Sequence, residues 1–482
     1  GEGVRTLAPL KGTAMADTEI LKNIDAWIDS KWEEIVSEIE TLVNIPSQED
    51  LEHAGPGMPF GPGPRKALDA GLDLAARLGM DAQCHEGYVG TADYKGLDDS
   101  KKICQIAHLD TVPCGPGWTQ DPHKMTRRDG FLIGRGTLDD KGPFVIGLYA
   151  MRYWHEQGIQ FPYTMRMIIG SNEETSLRDV EYYNEHFEQP TFLFTPDAEF
   201  PVCYGEKGIY QGVFTSGPIA DGKIVSWRAG EAFNAIPTDA SVTVQADLAG
   251  LPERSGIALS DNGDGTVTIA AKGKGGHASM PAGTVNAIGM LVDYMLENDT
   301  VSPSERRFLE LQKALIDDYT GSGVDCAASD ELFGDLTIIG GMAWLEDGRL
   351  HQSVDSRYPT TFGREQFEQV LASVAERYGA TYATDNDTKP FYIDPNGEEI
   401  QRLIRVYNDV TGEDRTPFTI GGGTYAREFK NAAAFGPEMP WVTYPDWVGP
   451  MHGDDEGMSE GQLKLSLKIY IVALNELMRI EY

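Results

Sequence analysis

The chain has 482 residues, too many for one compact core, and its length sets an expectation of two or three domains. With 40 basic against 75 acidic residues its formal charge is −35, which argues against nucleic acid, whose binding needs a basic face, and against an anionic membrane surface. Five scattered cysteines, Cys84, Cys104, Cys114, Cys203 and Cys326, have no C-x-x-C spacing, so neither a disulfide framework nor a cysteine zinc site is expected and a reducing, cytoplasmic compartment is. No apolar run approaches the ~18 residues of a membrane span, and no basic-then-apolar secretion signal opens the chain. Composition reads residues 1–14 as an appended leader and Met15 as the natural start.

In chain order, Ile20, Ile24, Trp27, Ile28, Trp32, Ile35, Ile39 and Leu42 recur at three- and four-residue steps. They predict a long amphipathic helix over Thr18–Val43 with Thr18 as its cap. The Pro/Gly-rich segment 55–64 reads as a loop, 65–78 as a second helix, and strands are expected near Gln83 and Ile103. Residues 103–112 spell Ile-Cys-Gln-Ile-Ala-His-Leu-Asp-Thr-Val, an apolar run suited to a buried parallel strand. Residues two apart on an extended chain project from one face. His108 and Asp110 therefore point together into one crevice, while Leu109 turns to the core. After a Gly/Pro-rich loop at 114–122, the segment Gly134-Arg135-Gly136-Thr137-Leu138-Asp139-Asp140-Lys141-Gly142 leads into a helix over 143–155. An apolar strand over 163–169 breaks at Gly170-Ser171-Asn172-Glu173-Glu174. A helix over 177–186 precedes a strand over 191–194, which ends at Pro196-Asp197-Ala198-Glu199. This alternation predicts an α/β, mainly parallel sheet with helices on both faces. In such sheets ligands bind outside the carboxyl ends of the strands, where all of these polar clusters fall.

After about Gly208 the pattern changes. Segments 241–248 and 266–272 alternate, as antiparallel strands with one wet face do. Asp261-Asn262-Gly263-Asp264-Gly265 has the look of a calcium loop, but its twelfth position is Lys272 rather than a glutamate, so it reads as a hairpin turn. Helices are expected over 285–297 and 303–319, the second opened by a Ser302/Glu305 capping box with Pro303 in the first turn. The stretch 208–386 is long enough for a separate α+β domain. It splits the first domain into 15–207 and 387–482, the latter carrying a glycine run at 421–423 and a last helix over 461–479.

His108, Asp110, Asp139, Glu173, Glu174, Asp197 and His452 are then the candidates for chemistry. Imidazole with carboxylate and no thiolate suits zinc, manganese or cobalt, and so many carboxylates favour two ions over one. The motifs His108-Leu109-Asp110, Gly136-Thr137-Leu138-Asp139-Asp140-Lys141-Gly142, Asn172-Glu173-Glu174-Thr175, Pro196-Asp197-Ala198-Glu199 and His452-Gly453-Asp454-Asp455-Glu456 resemble the di-zinc aminoacylase/carboxypeptidase superfamily. Ala198-Glu199-Phe200-Pro201 and Gly205-Glu206-Lys207-Gly208 resemble its PepV-type dipeptidase branch.

That resemblance implies that Asp139 bridges two divalent ions, most simply zinc with manganese or cobalt as alternatives. His108 and Asp197 complete one ion; Glu174 and His452 complete the other. Glu173 is the implied general base acting on a metal-bridging water. Asp110 is expected to hold the unligated nitrogen of His108 and so fix its tautomer, and the bond between Asp139 and Asp140 is expected to be cis. In the middle domain, the implied lid, His277 resembles the histidine that polarises the oxyanion and Asn234 a substrate-binding asparagine. Arg357 resembles the arginine that clamps the substrate carboxylate, a role suited to a guanidinium fork. Gly422 and Gly423 resemble a close backbone approach to the substrate. The lid is long enough to carry its own histidine, which implies a monomer.

The leading reading is a metal-dependent dipeptidase for unblocked dipeptides, with a small peptide as its partner and neither nucleic acid nor membrane. An N-acyl-amino-acid deacylase is the alternative, and an inactive metal-binding scaffold the third. Two departures stand out: Leu138, where relatives carry a small residue, and the unusually acidic stretch 453–458.

Overall fold

The computed structural model describes residues 5–6 and 18–482. Met15, the expected start, and the expected leader 1–14 lie outside them, except that Arg5–Thr6 pairs with Ile159–Gln160. The chain divides into two compact units. The first holds the described residues up to Tyr204 together with Ile393–Phe418 and Thr424–Tyr482; the second holds Gly205–Tyr392 and Thr419–Gly423. Three short segments, 205–207, 387–392 and 419–423, therefore group with the second unit rather than with the flanking parts expected around 208–386. Phe391–Tyr392 joins the second unit by pairing with Gly205 and Glu206, and Thr419 does so through its hydroxyl, which donates to the Leu332 carbonyl at 2.9 Å.

The first unit is built on a sheet in the order Asp81–His85, Val89–Tyr94, Tyr163–Gly170, Asp98–His108, Phe192–Thr195, Ala432–Ala434. Tyr163–Gly170, Asp98–His108, Phe192–Thr195 and Ala432–Ala434 are mutually parallel, and Val89–Tyr94 runs antiparallel to both neighbours. Side-chain alternation splits the sheet into two faces. Ile103, Ala107, Met165, Met167, Ile169, Phe192 and Phe194 enter one core together with residues of the helices Thr18–Val43, Pro62–Arg77, Lys141–Glu156 and Glu460–Leu477. On the other face Arg166 donates to the hydroxyl of Tyr183, in the helix Arg178–His186. Helices thus cover both faces, as the alternation of elements predicts.

The helix Lys141–Glu156 is buried on nearly all sides from Lys141 to Trp154, as an apolar-all-round sequence requires. It begins at the residue after Asp140, so the polar loop before it inherits a fixed base. Gly142 sits where a Cβ would meet the Thr137 carbonyl at 2.1 Å, so only glycine lets the loop fold back on the first turn. The helix Pro62–Arg77 starts earlier than expected because Pro62 and Pro64 both occupy its first turn, where a missing N–H costs nothing.

The second unit is an antiparallel sheet in the order Ile257–Asp261, Thr266–Lys272, Asp239–Gln245, Ile224–Ala229, Ala343–Glu346, Arg349–Tyr358, Gly208–Ser216, Ala380–Thr388. One face packs on the helices Ala287–Glu297, Pro303–Ile316 and Arg364–Arg377. The capping box of Ser302 and Glu305 is present. The Asp261–Gly265 segment is the expected hairpin turn, closed by the Asn262 amide donating to the Thr266 carbonyl at 3.1 Å.

Leu109 is fully buried and belongs to the first unit's core, as its position between two polar residues predicts. Replacing it by alanine leaves a cavity directly behind the polar strand end, and Leu109→Ala should cost about 2–5 kcal/mol of unfolding free energy. Chemical denaturation in chelator reads this directly; a cost under about 1 kcal/mol would mean that the site is not braced from behind.

Candidate metal centre

Three neighbouring parallel strands deliver the site. Asp98–His108 ends on His108 itself. Tyr163–Gly170 runs out into Asn172-Glu173-Glu174, and Phe192–Thr195 into Pro196-Asp197. Their carboxyl ends share one edge of the sheet, where an α/β sheet binds its ligands. Asp139 comes from the loop before the buried helix and His452 from the loop before the short strand Gly457–Ser459.

The side chains converge on Asp139. His108 Nε2 lies 2.9 Å from Asp139 Oδ1 and 3.1 Å from Asp197 Oδ2. His452 Nε2 lies 2.8 Å from Asp139 Oδ2 and 3.1 Å from Glu174 Oε1. The two oxygens of one carboxylate thus face two different imidazoles, each accompanied by its own further carboxylate. Glu173 Oε2 approaches His108 Nε2 to 3.5 Å. Donor atoms of Asp139, Glu174 and His452 all fall within 4.8 Å of one another, as do those of His108, Asp140 and Asp197. The peptide bond between Asp139 and Asp140 is cis.

Burial pushes Glu173 well above the usual carboxylate range, opposed by His108 and reinforced by Asp197 and Glu174. Burial and the Asp139 carboxylate push Glu174 up to about 8 and Asp197 up to about 6. Burial opposes charge on His108, yet Asp197, Glu173 and Asp110 outweigh it and hold the imidazole well above its usual range. Hydrogen bonds to Asp139 and Glu174 raise His452 to about 11. Buried carboxylates outnumber the imidazoles here. The donor set, two imidazole nitrogens and several carboxylates with no thiolate, suits hard to borderline divalent ions. Asp140 Oδ1 is buried and without a hydrogen bond, and Asp140 groups with His108 and Asp197.

Supporting contacts orient these groups. His108 Nδ1 is 2.9 Å from the backbone oxygen of Asp110 and 3.3 Å from its Oδ1. The nearer partner is therefore the carbonyl rather than the carboxylate expected from the sequence. The Asp110 carboxylate, within 3.3 Å of the same nitrogen, also accepts the amides of Glu173 and Glu174, at 3.2 and 3.0 Å. From the opposite side Asp179 Oδ2 accepts the amides of Ser171 and Asn172 and the hydroxyl of Tyr425. Gly170 leaves room for this: a Cβ there would meet the Tyr425 hydroxyl at 2.0 Å. Sequence reasoning gave no role to Asp140, Asp179, Tyr425 or Glu456. Only the acidity of 453–458 hinted at the last, and Leu138, the other departure, is a core residue.

The remaining candidates, Asn234, His277, Arg357, Gly422 and Gly423, fall in the second unit and form a string there. The Ala278 amide donates to the Asn234 carbonyl at 2.8 Å, and the Ser279 amide donates to His277 Nδ1 at 3.1 Å. That makes Nδ1 the acceptor and puts the neutral ring's proton on Nε2. Arg357 donates from Nε to Asp355 at 2.8 Å and from Nη1 to the Gly421 carbonyl at 2.8 Å. Its Nη2 makes no hydrogen bond among the described residues. A Cβ on Gly422 would meet nothing within 4 Å.

Comparison with known proteins adds a family. Residues 105–476 match Peptidase family M20/M25/M40. The Beta-Ala-Xaa dipeptidase of Lactobacillus delbrueckii subsp. lactis is 32% identical over 477 residues, covering 95% of this chain and 99% of that one. In fold, the chain is similar to human carnosine dipeptidase 1, with a TM-score of 0.59 at 15% identity over 96% of this chain and 99% of the other. It is equally similar to the di-peptidase Dug1p of Saccharomyces cerevisiae, at 0.59, 14%, 96% and 99%.

The raised carboxyl groups set a pH dependence. A carboxyl whose pKa is higher folded than unfolded contributes stability that is fully present below the unfolded value and lost as pH rises through the folded one. Glu174 and Asp197 titrate at about 8 and about 6 against ordinary values of 4.5 and 3.8. Metal-free protein should therefore melt at lower temperature at pH 8 than at pH 6. Zinc, which displaces those protons, should raise the melting temperature more at pH 8; free ion at 100 times its Kd adds ~2.7 kcal/mol. Calorimetry with zinc or chelator at the two pH values checks this, and an equal or larger gain at pH 6 contradicts it.

Proposed function

The chain belongs to Peptidase family M20/M25/M40, and from that premise we propose that the Asp139-centred donor set serves the hydrolysis of a single peptide bond. The protein is a dipeptidase, a hydrolase acting on peptide bonds. The finer reading is that it acts as a monomer in the cytoplasm on unblocked dipeptides and uses two zinc ions. The observation that carries it is the shared carboxylate: Asp139 presents one oxygen to His108 and the other to His452.

In this reading His108, Asp139 and Asp197 would hold one ion and Asp139, Glu174 and His452 the other. When bound, the pair supplies Lewis-acid polarisation of the scissile carbonyl and a water acidified for attack. Glu173 is the general base. It takes the attacking water's proton and returns it to the departing amine. Two features suit Glu173 to proton transfer. Its amide is pinned by Asp110, and burial gives its carboxyl a raised proton affinity, which brings a carboxylate toward neutral operating pH. Glu174 Oε1 faces His452 Nε2 at 3.1 Å, whereas Glu173 Oε2 lies nearest His108 Nε2, at 3.5 Å, and is left for proton transfer in this reading. Asp110 positions both. It meets His108 Nδ1 through its backbone oxygen and leaves Nε2 as the donor to an ion.

The second unit supplies substrate groups in this reading. His277, with its proton on Nε2, donates to the oxyanion. Arg357 offers its remaining nitrogen to the terminal carboxylate, and Asn234, Gly422 and Gly423 line the substrate backbone. The five free cysteines agree with a reducing compartment, and no helix among the described residues is long and apolar enough to cross a membrane.

Glu173→Ala should lower kcat by about 10²–10⁴-fold while both ions stay bound, as read by metal analysis after dialysis. Retained turnover, or loss of the ions with it, would remove the general-base assignment. Dipeptides should turn over far faster than N-acetyl amino acids; the reverse preference would favour the deacylase. Arg357→Lys, which keeps the charge but loses the fork, should raise KM for dipeptides about tenfold with kcat nearly unchanged, and an unaltered KM would take Arg357 out of the substrate site.

A further inference from the structure

Behind the donor set lies a buried ion pair that no part of the reaction uses. Arg135 and Glu456 have side-chain exposures of 1% and 0%, with Nη1 2.9 Å from Oε1. Glu456 Oε2 accepts three backbone amides of the Asp139 loop: Gly136 at 3.0 Å, Leu138 at 3.1 Å and Asp139 itself at 3.1 Å. Arg135 Nη1 also donates to the carbonyl of Gly453 at 3.0 Å, the residue after His452, and Nη2 donates to the carbonyl of Pro113 at 3.3 Å. One ion pair therefore ties the loop of Asp139 to the loop of His452.

An apolar pair could fill this space, but it would strand three buried amides, each of which is costly to leave unpaired. A carboxylate that collects them fixes the loop's path. His452 needs the same help. It sits at φ +62, a left-handed conformation that few residues adopt without support, and its side chain is half exposed. By contrast, His108 is held by its strand and by the Asp110 carbonyl, and Asp197 follows directly on a second strand. Neither has a hydrogen bond to the Arg135–Glu456 pair.

We propose that Arg135 and Glu456 are positioning residues that set His452 against Asp139, and so govern affinity for the ion held by Asp139, Glu174 and His452 more than for its partner on the His108 side. The inference rests on the two-ion reading. Supporting groups of this kind typically change metal affinity by about 10–100-fold.

The test uses the full chain stripped of metal and titrated with cobalt(II), by calorimetry and visible absorption. Glu456→Gln keeps one oxygen for the amides but sets an NH2 against Arg135. Arg135→Lys keeps the charge but loses the fork to Gly453 and Pro113. Wild type should bind two ions. Both variants should hold the first within about threefold and bind the second at least about tenfold more weakly. Their kcat should fall at low metal and recover at high metal, with KM for a dipeptide unchanged; a general loss of structure would not be rescued in this way. Should Glu456→Gln fail to fold, Arg135→Lys carries the same expectation alone. Two ions bound as in wild type, or both weakened alike, would overturn the clamp. A wild type that binds fewer than two ions would instead sink the two-ion reading, and the clamp with it.

Discussion

A single carboxylate organises the first unit. Asp139 turns Oδ1 towards His108 and Oδ2 towards His452, residues from opposite ends of the chain. Hydrogen bonds from both imidazoles hold its pKa well below the ordinary range in spite of complete burial. Burial, reinforced by this charge, raises Glu174, Asp197 and Glu456. One group thus stays ionised at the expense of its neighbours, an arrangement suited to an anion shared by two cations. The buried helix Lys141–Glu156 starts beside it, and the strand ends of His108, Glu173 and Asp197 close round it.

The surrounding contacts divide the work. Asp110 accepts the amides of Glu173 and Glu174, and Asp179 those of Ser171 and Asn172 just before them, so the two glutamates differ by geometry rather than by type. Arg135 and Glu456 hold the Asp139 and His452 loops in the same manner. In both cases a buried carboxylate collects backbone N–H groups that would otherwise be orphaned, which converts irregular loops into rigid mounts. Precision at the donor atoms comes from this outer layer as much as from the strands.

Much of this was legible in the sequence because the chemistry sits at strand ends. The apolar run before His108 and the turns after Gly170 and Thr195 mark where strands stop, and polar residues at those stops could be gathered into one edge. Alternation around Leu109 correctly placed it in the core. What stayed hidden depends on contacts made over long sequence distances. Glu456 looked like surplus acidity until Arg135 and the Asp139 loop stood beside it. Asp179 and Tyr425 carry no local signature, and the carbonyl of Asp110 cannot be told from its carboxylate by spacing. The strand Val89–Tyr94 went unseen because Val-Gly-Thr-Ala-Asp-Tyr offers little apolar alternation. The unit boundaries shifted by a few residues because Phe391–Tyr392 and Thr419–Gly423 are assigned by pairing rather than by composition.

The most direct test is anomalous diffraction at the metal edge from crystals grown with zinc. Two peaks about 3.5–4 Å apart, one beside each oxygen of Asp139 with His108 on one side and His452 on the other, is the predicted result. A single peak, or peaks that do not share the Asp139 carboxylate, would contradict the account.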